Sequence, residues 1–212
     1  MTMQSAVLAP VSQYCLNPGP YSSHSLRLAE FPFPGEGHRV LDVGSAAGYL
    51  SEILARRGFS VVSIDLLGTP HPPAIEFAGA DLDHGLPPLS DEFDYIICAD
   101  VLEHVREPLV LLEQCRALMA PAGILLGSLP NSGNAWFRWN VLRGRFPKDE
   151  RGLFDKTHLH FYMWDGWVEL FRRAGLRVDA VRASGVPIGL AKPGLDGTMM
   201  GRVLEKTSFE AA

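Results

Sequence analysis

Apolar residues fall along this chain in short runs, most of which end on a small or acidic position. Val40-Leu41-Asp42-Val43 follows a glycine-rich turn and predicts a buried first strand over Arg39–Val43. It leads into Gly44-Ser45-Ala46-Ala47-Gly48 and then residues 49–57, where Leu50, Ile53 and Leu54 recur at helical spacing. Further strands are expected over 60–64, ending on Asp65, over 74–80, ending on Asp81, over Phe93–Ala99, and over 123–129, closed by Pro130-Asn131. A helix over 108–119 carries Pro108 in its first turn, and another over 164–174 stops at Gly175. Alternation at Val178 and Ala180 predicts a sixth strand over 176–183. A first helix is expected over 20–31 and a weak one over 199–204.

Strands alternating with helices mean an α/β fold around a mainly parallel sheet, with helices on both faces. In such sheets ligands gather beyond the carboxyl ends of the strands, and those ends carry Gly44, Asp65, Asp81, Asp100 and Asn131. All four tryptophans lie between residues 136 and 167, with Phe137, Phe146, Phe154, Phe161 and Tyr162 among them. This reads as packing or as an aromatic lid after strand five. The segments are a lead-in over 1–19, one domain over 20–186 with a lid insertion over 132–167, and a divergent tail over 187–212.

Composition narrows the partners. With 24 acidic and 19 basic residues the net charge is −5, without the basic face that a nucleic-acid binder needs. No window approaches the roughly 18 apolar residues of a spanning helix, so no membrane partner is expected. The first residues lack the basic and apolar regions of a signal peptide, and the expectation is a cytoplasmic protein. The three cysteines form no CxxC or Cys/His spacing, so no metal is expected.

The glycine turn brings backbone N–H groups close to a ligand. Asp42 just before it would repel a pyrophosphate but suits an ammonium group, and Ala46 breaks the GxGxxG pattern. Asp65 ends strand two, where a carboxylate accepts ribose hydroxyls. Asp81-Leu82 offers a carboxylate for an adenine amino group and an apolar face for its ring. Amino acid, ribose and adenine in one line describe S-adenosylmethionine.

VLDVGSAAGYL, VSIDL, GADL, FDYIICADVLEHV and GSLPN resemble the successive motifs of class I S-adenosylmethionine-dependent methyltransferases. NVLRGRF, GLFDKTHLHFY and ELFRRAGLRV resemble a bacterial small-molecule subgroup, methyltransferase type 11/23-like, and the likeness covers about residues 20–184. It implies a Rossmann-like fold and methyl transfer to oxygen or nitrogen of a small-molecule acceptor such as a sugar or natural product. It also implies cofactor contacts from Tyr21, Asp42, Gly44, Ser45, Gly48, Asp65, Leu66, Asp81, Leu82, Ala99 and His104.

Candidate bases are His104, His158 and His160, with Asp155 placed to orient one of them; the resemblance to the subgroup favours His158 over His160. A hydrogen-bonded structural role is the alternative for each histidine. His158 and His160 would face one side if their segment were a strand, and lack a third metal ligand at matching spacing.

Three departures stand out. Ala46 replaces a glycine. The eight residues 66–73 are too short for a crossover helix, which leaves strand three short or displaced. The tail shows no final antiparallel strand, leaving an edge for a homodimer or a partner enzyme to cover. The alternative function is therefore a non-catalytic cofactor-binding subunit of a partner enzyme. A nicotinamide oxidoreductase ranks last, because Asp42 and the broken glycine pattern disfavour it.

Overall fold

The computed structural model describes residues 28–31, 34–66, 72–90 and 92–182. Five strands form one sheet: β1 (Arg39–Val43), β2 (Ser60–Asp65), β3 (Ile75–Gly79), β4 (Phe93–Ala99) and β5 (Met119–Ser128). Their order is β3-β2-β1-β4-β5 and every neighbouring pair is parallel. The chain steps outward from β1 to β3, then returns to lay β4 on the other side of β1. That reversal opens a crevice at the carboxyl ends of β1 and β4, where α/β sheets bind ligands.

Among the described residues four whole helices accompany the sheet: α1 (Tyr49–Arg56), α2 (Pro108–Ala117), α3 (Ala135–Leu142) and α4 (Trp164–Arg173). The period-two geometry of β1 feeds two cores. Leu41 and Val43 pack with Leu111, Leu112 and Cys115 of α2 and with Trp167 and Leu170 of α4. Val40 packs on the opposite face with Leu50 and Leu54 of α1. Coverage of both faces is why β1, β2 and β4 read as nearly unbroken apolar runs. Trp167 Nε1 also donates to the Pro130 carbonyl at 2.8 Å, tying α4 to the chain leaving β5.

The fold class expected from the sequence is the one observed, with two corrections. No strand forms over 176–182; Val178 and Val181 are exposed, Arg177 and Asp179 pair locally, and the sheet ends at β5 among the described residues. Alternation without a ladder partner does not make a strand. Strand three is not displaced either: β3 pairs with β2 in continuous register from Val61↔Ile75 to Asp65↔Gly79. The lead-in, Tyr21, most of the expected first helix and the tail from 187 lie outside the described residues.

Candidate active site

The turn after β1 winds through left-handed backbone at Gly44 (φ 71°), Ala46 (φ 49°) and Gly48 (φ 75°). A β-carbon at Gly44 would sit 2.4 Å from Val101 Cγ2, so only glycine lets this turn lie against the loop after β4. Ala46 pays about 1 kcal/mol for its left-handed backbone. Its N–H donates to Asp65 Oδ2 at 2.8 Å, while Gly44 and Ser45 N–H donate to the Ile64 carbonyl at 2.8 and 3.0 Å. The turn is thus fastened to the end of β2. Ser45 Oγ is buried and has no hydrogen-bond partner among the described residues.

Asp42 lies beneath the turn, on the α1 side of β1, and is 1% exposed. Ser51 Oγ on α1 donates to its Oδ2 at 2.6 Å, and the Ser51 and Ser63 hydroxyls are also 2.6 Å apart. At the next two strand ends, Ala80 N–H donates to the Asp65 carbonyl at 3.0 Å, which brings Asp65 and Asp81 to one rim. Leu66 on that rim is 63% exposed. Asp81 accepts from Asp83 N–H at 3.0 Å and lies 3.1 Å from His84 Nδ1, capping the short turn Leu82–His84. Leu82 packs on the larger core.

Beyond β4, Asp100 takes a left-handed backbone (φ 55°) and accepts a hydrogen bond from Ser128 Oγ, joining the ends of β4 and β5 beside Ala99. The loop that follows meets residues 157–160. Leu159 N–H donates to the Glu103 carbonyl at 2.8 Å, and His160 Nε2 donates to the Val105 carbonyl at 2.8 Å. These bonds bring His104 and His158 edge to face, with ring centroids 4.8 Å apart. His158, with a side chain 7% exposed, holds Nε2 3.9 Å from Glu103 Oε1.

A polar chain runs from Asp155 to His104. Thr157 Oγ1 donates to Asp155 Oδ1 at 2.6 Å, and Thr157 N–H donates to the same oxygen at 2.8 Å. His104 Nδ1 lies 3.0 Å from Thr157 Oγ1 and 3.3 Å from the Thr157 carbonyl. The single hydroxyl proton of Thr157 is committed to Asp155, so Nδ1 must be the donor toward Thr157. The neutral ring therefore carries its basic lone pair on Nε2.

Burial raises the Asp155 carboxyl, but the two Thr157 hydrogen bonds and the nearby His158 and His104 outweigh it and leave the group below its ordinary range. Burial, reinforced by His104, pushes the His158 imidazole below its ordinary value against the opposing pull of Asp155 and Asp100.

The structure brings His104, His158 and Asp155 together and separates His160, whose ring is bound to the Val105 carbonyl. The segment holding both histidines is irregular, so the shared face of a strand does not arise. Glu103, His104 and His158 each place a ligand-type atom within 4.8 Å of the others. That set was invisible in sequence spacing, because Glu103 and His158 are brought together only by the fold. Thr157 was likewise missed as a functional group: its signal lies in a contact to His104 across 53 residues.

The lid has a small core of its own. Phe137 and Phe154 stack at 4.6 Å, and Phe146 meets Phe137, Phe154 and Phe161 at centroid distances of 5.9, 5.3 and 5.1 Å. Between α3 and Met163 lies an open groove of about 230 Å³, lined by Phe137, Val141, Leu142 and Ser132 with Arg138 at its side.

A family model described as a methyltransferase domain matches residues 19–181. A ubiquinone biosynthesis O-methyltransferase from Cereibacter sphaeroides is 33% identical over 156 residues, covering 68% of this chain and 62% of that protein. The match thus spans less than two thirds of that relative's length. Among solved structures, a chain from the complex between the Haloferax volcanii Trm112 methyltransferase activator and a methyltransferase superposes with TM-score 0.63 at 20% identity, covering 88% of this chain and 85% of that one. An S-adenosylmethionine-dependent methyltransferase from Mesorhizobium loti superposes with TM-score 0.58 at 17% identity, covering 82% and 91%.

Proposed function

The chain belongs to the methyltransferase-domain family, and on that premise we propose that it methylates a hydroxyl oxygen of a small, partly apolar acceptor, using S-adenosylmethionine. The choice of oxygen over nitrogen draws on the likeness to the Cereibacter O-methyltransferase. The apolar character of the acceptor draws on the groove beside α3.

The residues present suit the cofactor. Gly44 keeps the turn seated against Val101 with its backbone bare of a β-carbon, and the orphaned Ser45 hydroxyl offers a polar contact in the same turn. Gly44, Ser45 and Gly48 hold its methionine part, with Asp42 shaping the turn from below. Asp65 takes the ribose, and the exposed Leu66 face with Asp81 and Leu82 takes the adenine. Ala99 and His104 border the sulfonium side. When bound, the cofactor would supply an electrophilic methyl carbon to the acceptor oxygen and would leave as S-adenosylhomocysteine.

The protein's part is alignment and proton removal. His104 takes the acceptor's hydroxyl proton on Nε2, and the oxygen's electron pair forms the new C–O bond. Asp155, through Thr157, fixes the Nδ1–H tautomer and offsets the positive charge that develops on the ring. His158, held neutral by its burial, packs against His104 and limits its rotation. The Asp155–Thr157–His104 chain is the observation that carries this reading.

Calorimetric titration with S-adenosylmethionine and S-adenosylhomocysteine, with NADH as control, tests the cofactor site. Both adenosyl ligands bind and NADH does not; Asp65→Ala weakens both by tenfold or more. Equal binding by Asp65→Ala refutes the assignment. Transfer of labelled methyl to a panel of phenols and hydroxybenzoates, compared with amines of matched shape, tests the acceptor class.

The alternative of a cofactor-binding subunit draws on β5, which has a neighbour on one side only among the described residues and leaves Ile124 48% exposed. Turnover by the purified chain without a partner refutes that alternative.

A further inference from the structure

α3 carries an unusual outer surface. At 3.6 residues per turn, Phe137 and Asn140 point inward and are buried, which turns Arg138, Trp139, Leu142 and Arg143 outward. Trp139 is 53% exposed and Leu142 80%, values at which a water-facing helix normally carries polar side chains. Phe146, just after the helix, is also half exposed.

The charge is as one-sided as the apolar surface. From Ser132 to Lys148 there are four cations, Arg138, Arg143, Arg145 and Lys148, and not one carboxylate, in a chain whose net charge is −5. All four cations are exposed. The Arg143 guanidinium lies 5.4 Å from the Trp139 ring centroid, so cation and aromatic share one face.

We infer that this face of α3 docks on the surface of an anionic lipid bilayer. Tryptophan and leucine intermixed with arginine, on a helix whose other side is already satisfied, match the layered chemistry of the membrane interface: acyl boundary, headgroup and phosphate. The positive face complements anionic headgroups where the rest of this acidic chain repels them. The helix is held in place by Phe137 in the aromatic cluster, so docking incurs no folding cost of the kind that a disordered segment meets. Among the described residues no helix is long and apolar enough to cross a membrane, and the contact is with the surface. Arg138 and Leu142 also border the groove beside α3, and vesicle binding is read apart from turnover.

The test is co-sedimentation of the full chain with phosphatidylcholine vesicles, with and without phosphatidylglycerol, at low and high salt. The chain sediments with phosphatidylglycerol vesicles and is released by salt. Each cation near such a surface contributes about fivefold in partitioning, so Arg143→Glu with Arg145→Glu lowers binding by at least about 25-fold. Leu142→Ser with Trp139→Ser lowers it by about tenfold or more, with circular dichroism confirming that both variants remain folded. No binding to either vesicle overturns the inference, as does equal binding to both or undiminished binding by the charge-reversed variant. A vesicle-free, concentration-dependent dimer that Leu142→Ser abolishes also overturns it, and gives the face to a second copy of the chain.

Discussion

Thr157→Val is the sharpest perturbation of the proposed chemistry. Valine keeps the shape of threonine and removes only the hydroxyl, which donates to Asp155 at 2.6 Å and faces His104 Nδ1 at 3.0 Å. Asp155, 3% exposed, retains the Thr157 N–H, so it stays partly satisfied while its link to His104 is cut. A hydrogen bond to a charged group contributes about 1.5–3 kcal/mol. At about 1.4 kcal/mol per tenfold, that is about tenfold to a hundredfold in kcat. Removing the base itself, as in His104→Ala, costs roughly a hundredfold to ten-thousandfold. The assay is initial-rate release of S-adenosylhomocysteine with the best acceptor from the panel, with its affinity measured separately by calorimetry. Thr157→Val lowers kcat with cofactor affinity unchanged, and Thr157→Ser recovers most of the loss. In the double variant with His104→Ala the two losses do not add, because the hydroxyl acts only through the ring. A kcat within twofold of wild type, or losses that add fully, refutes the chain from Asp155 to His104.

Other outcomes follow from the same geometry. Gly44→Ala forces a β-carbon onto Val101 in a left-handed turn and weakens cofactor binding by tenfold or more; Val101→Ala restores part of it, as calorimetry will show. The lowered His158 value means that the unfolded chain binds protons more readily between that value and about 6.5. Stability from this group is therefore complete above about 6.5 and is lost as pH falls through the folded value. Thermal melts at neutral and mildly acidic pH show a smaller acid-induced drop in His158→Asn than in wild type. Added zinc occupies Glu103, His104 and His158 and inhibits turnover, and a chelator restores it. Activity that falls on chelation and returns with metal contradicts His104 as the free base.

The parts of the fold written in local pattern were legible. β1, β2 and β4 announced themselves as apolar runs buried on both faces, and the glycine turn followed from the strand–turn–helix order, whereas its bond to Asp65 did not. The expected strand over 176–183 failed because alternation specifies a face only when a neighbouring ladder exists to receive it. The short connection after Asp65 left strand three short or displaced; β3 is short, five residues, and holds its place through register with β2, which no local spacing encodes. At the site, His104, His158 and Asp155 are candidates that the sequence offers by their chemistry. Their grouping depends on backbone bonds from Leu159 to Glu103 and from His160 to Val105, contacts between distant segments that leave no local signature. Thr157 looked ordinary in sequence because its role is set by the two groups it touches.

Ser132 N–H donates to the Tyr162 carbonyl at 3.0 Å, so the chain leaves the body of the protein and rejoins it side by side, with Thr157, Leu159 and His160 bonded to the loop after β4 just before the return. Such an excursion behaves as a cassette: between those anchors its length and contents can vary without moving the sheet. The cassette contains Asp155 and Thr157, whereas His104 belongs to the body. Exchange of the segment between relatives would therefore carry acceptor shape and the tuning of the base together. Divergence in this fold can reset what is recognised and how readily it is deprotonated in a single genetic step, while the methyl-donor half stays as it was.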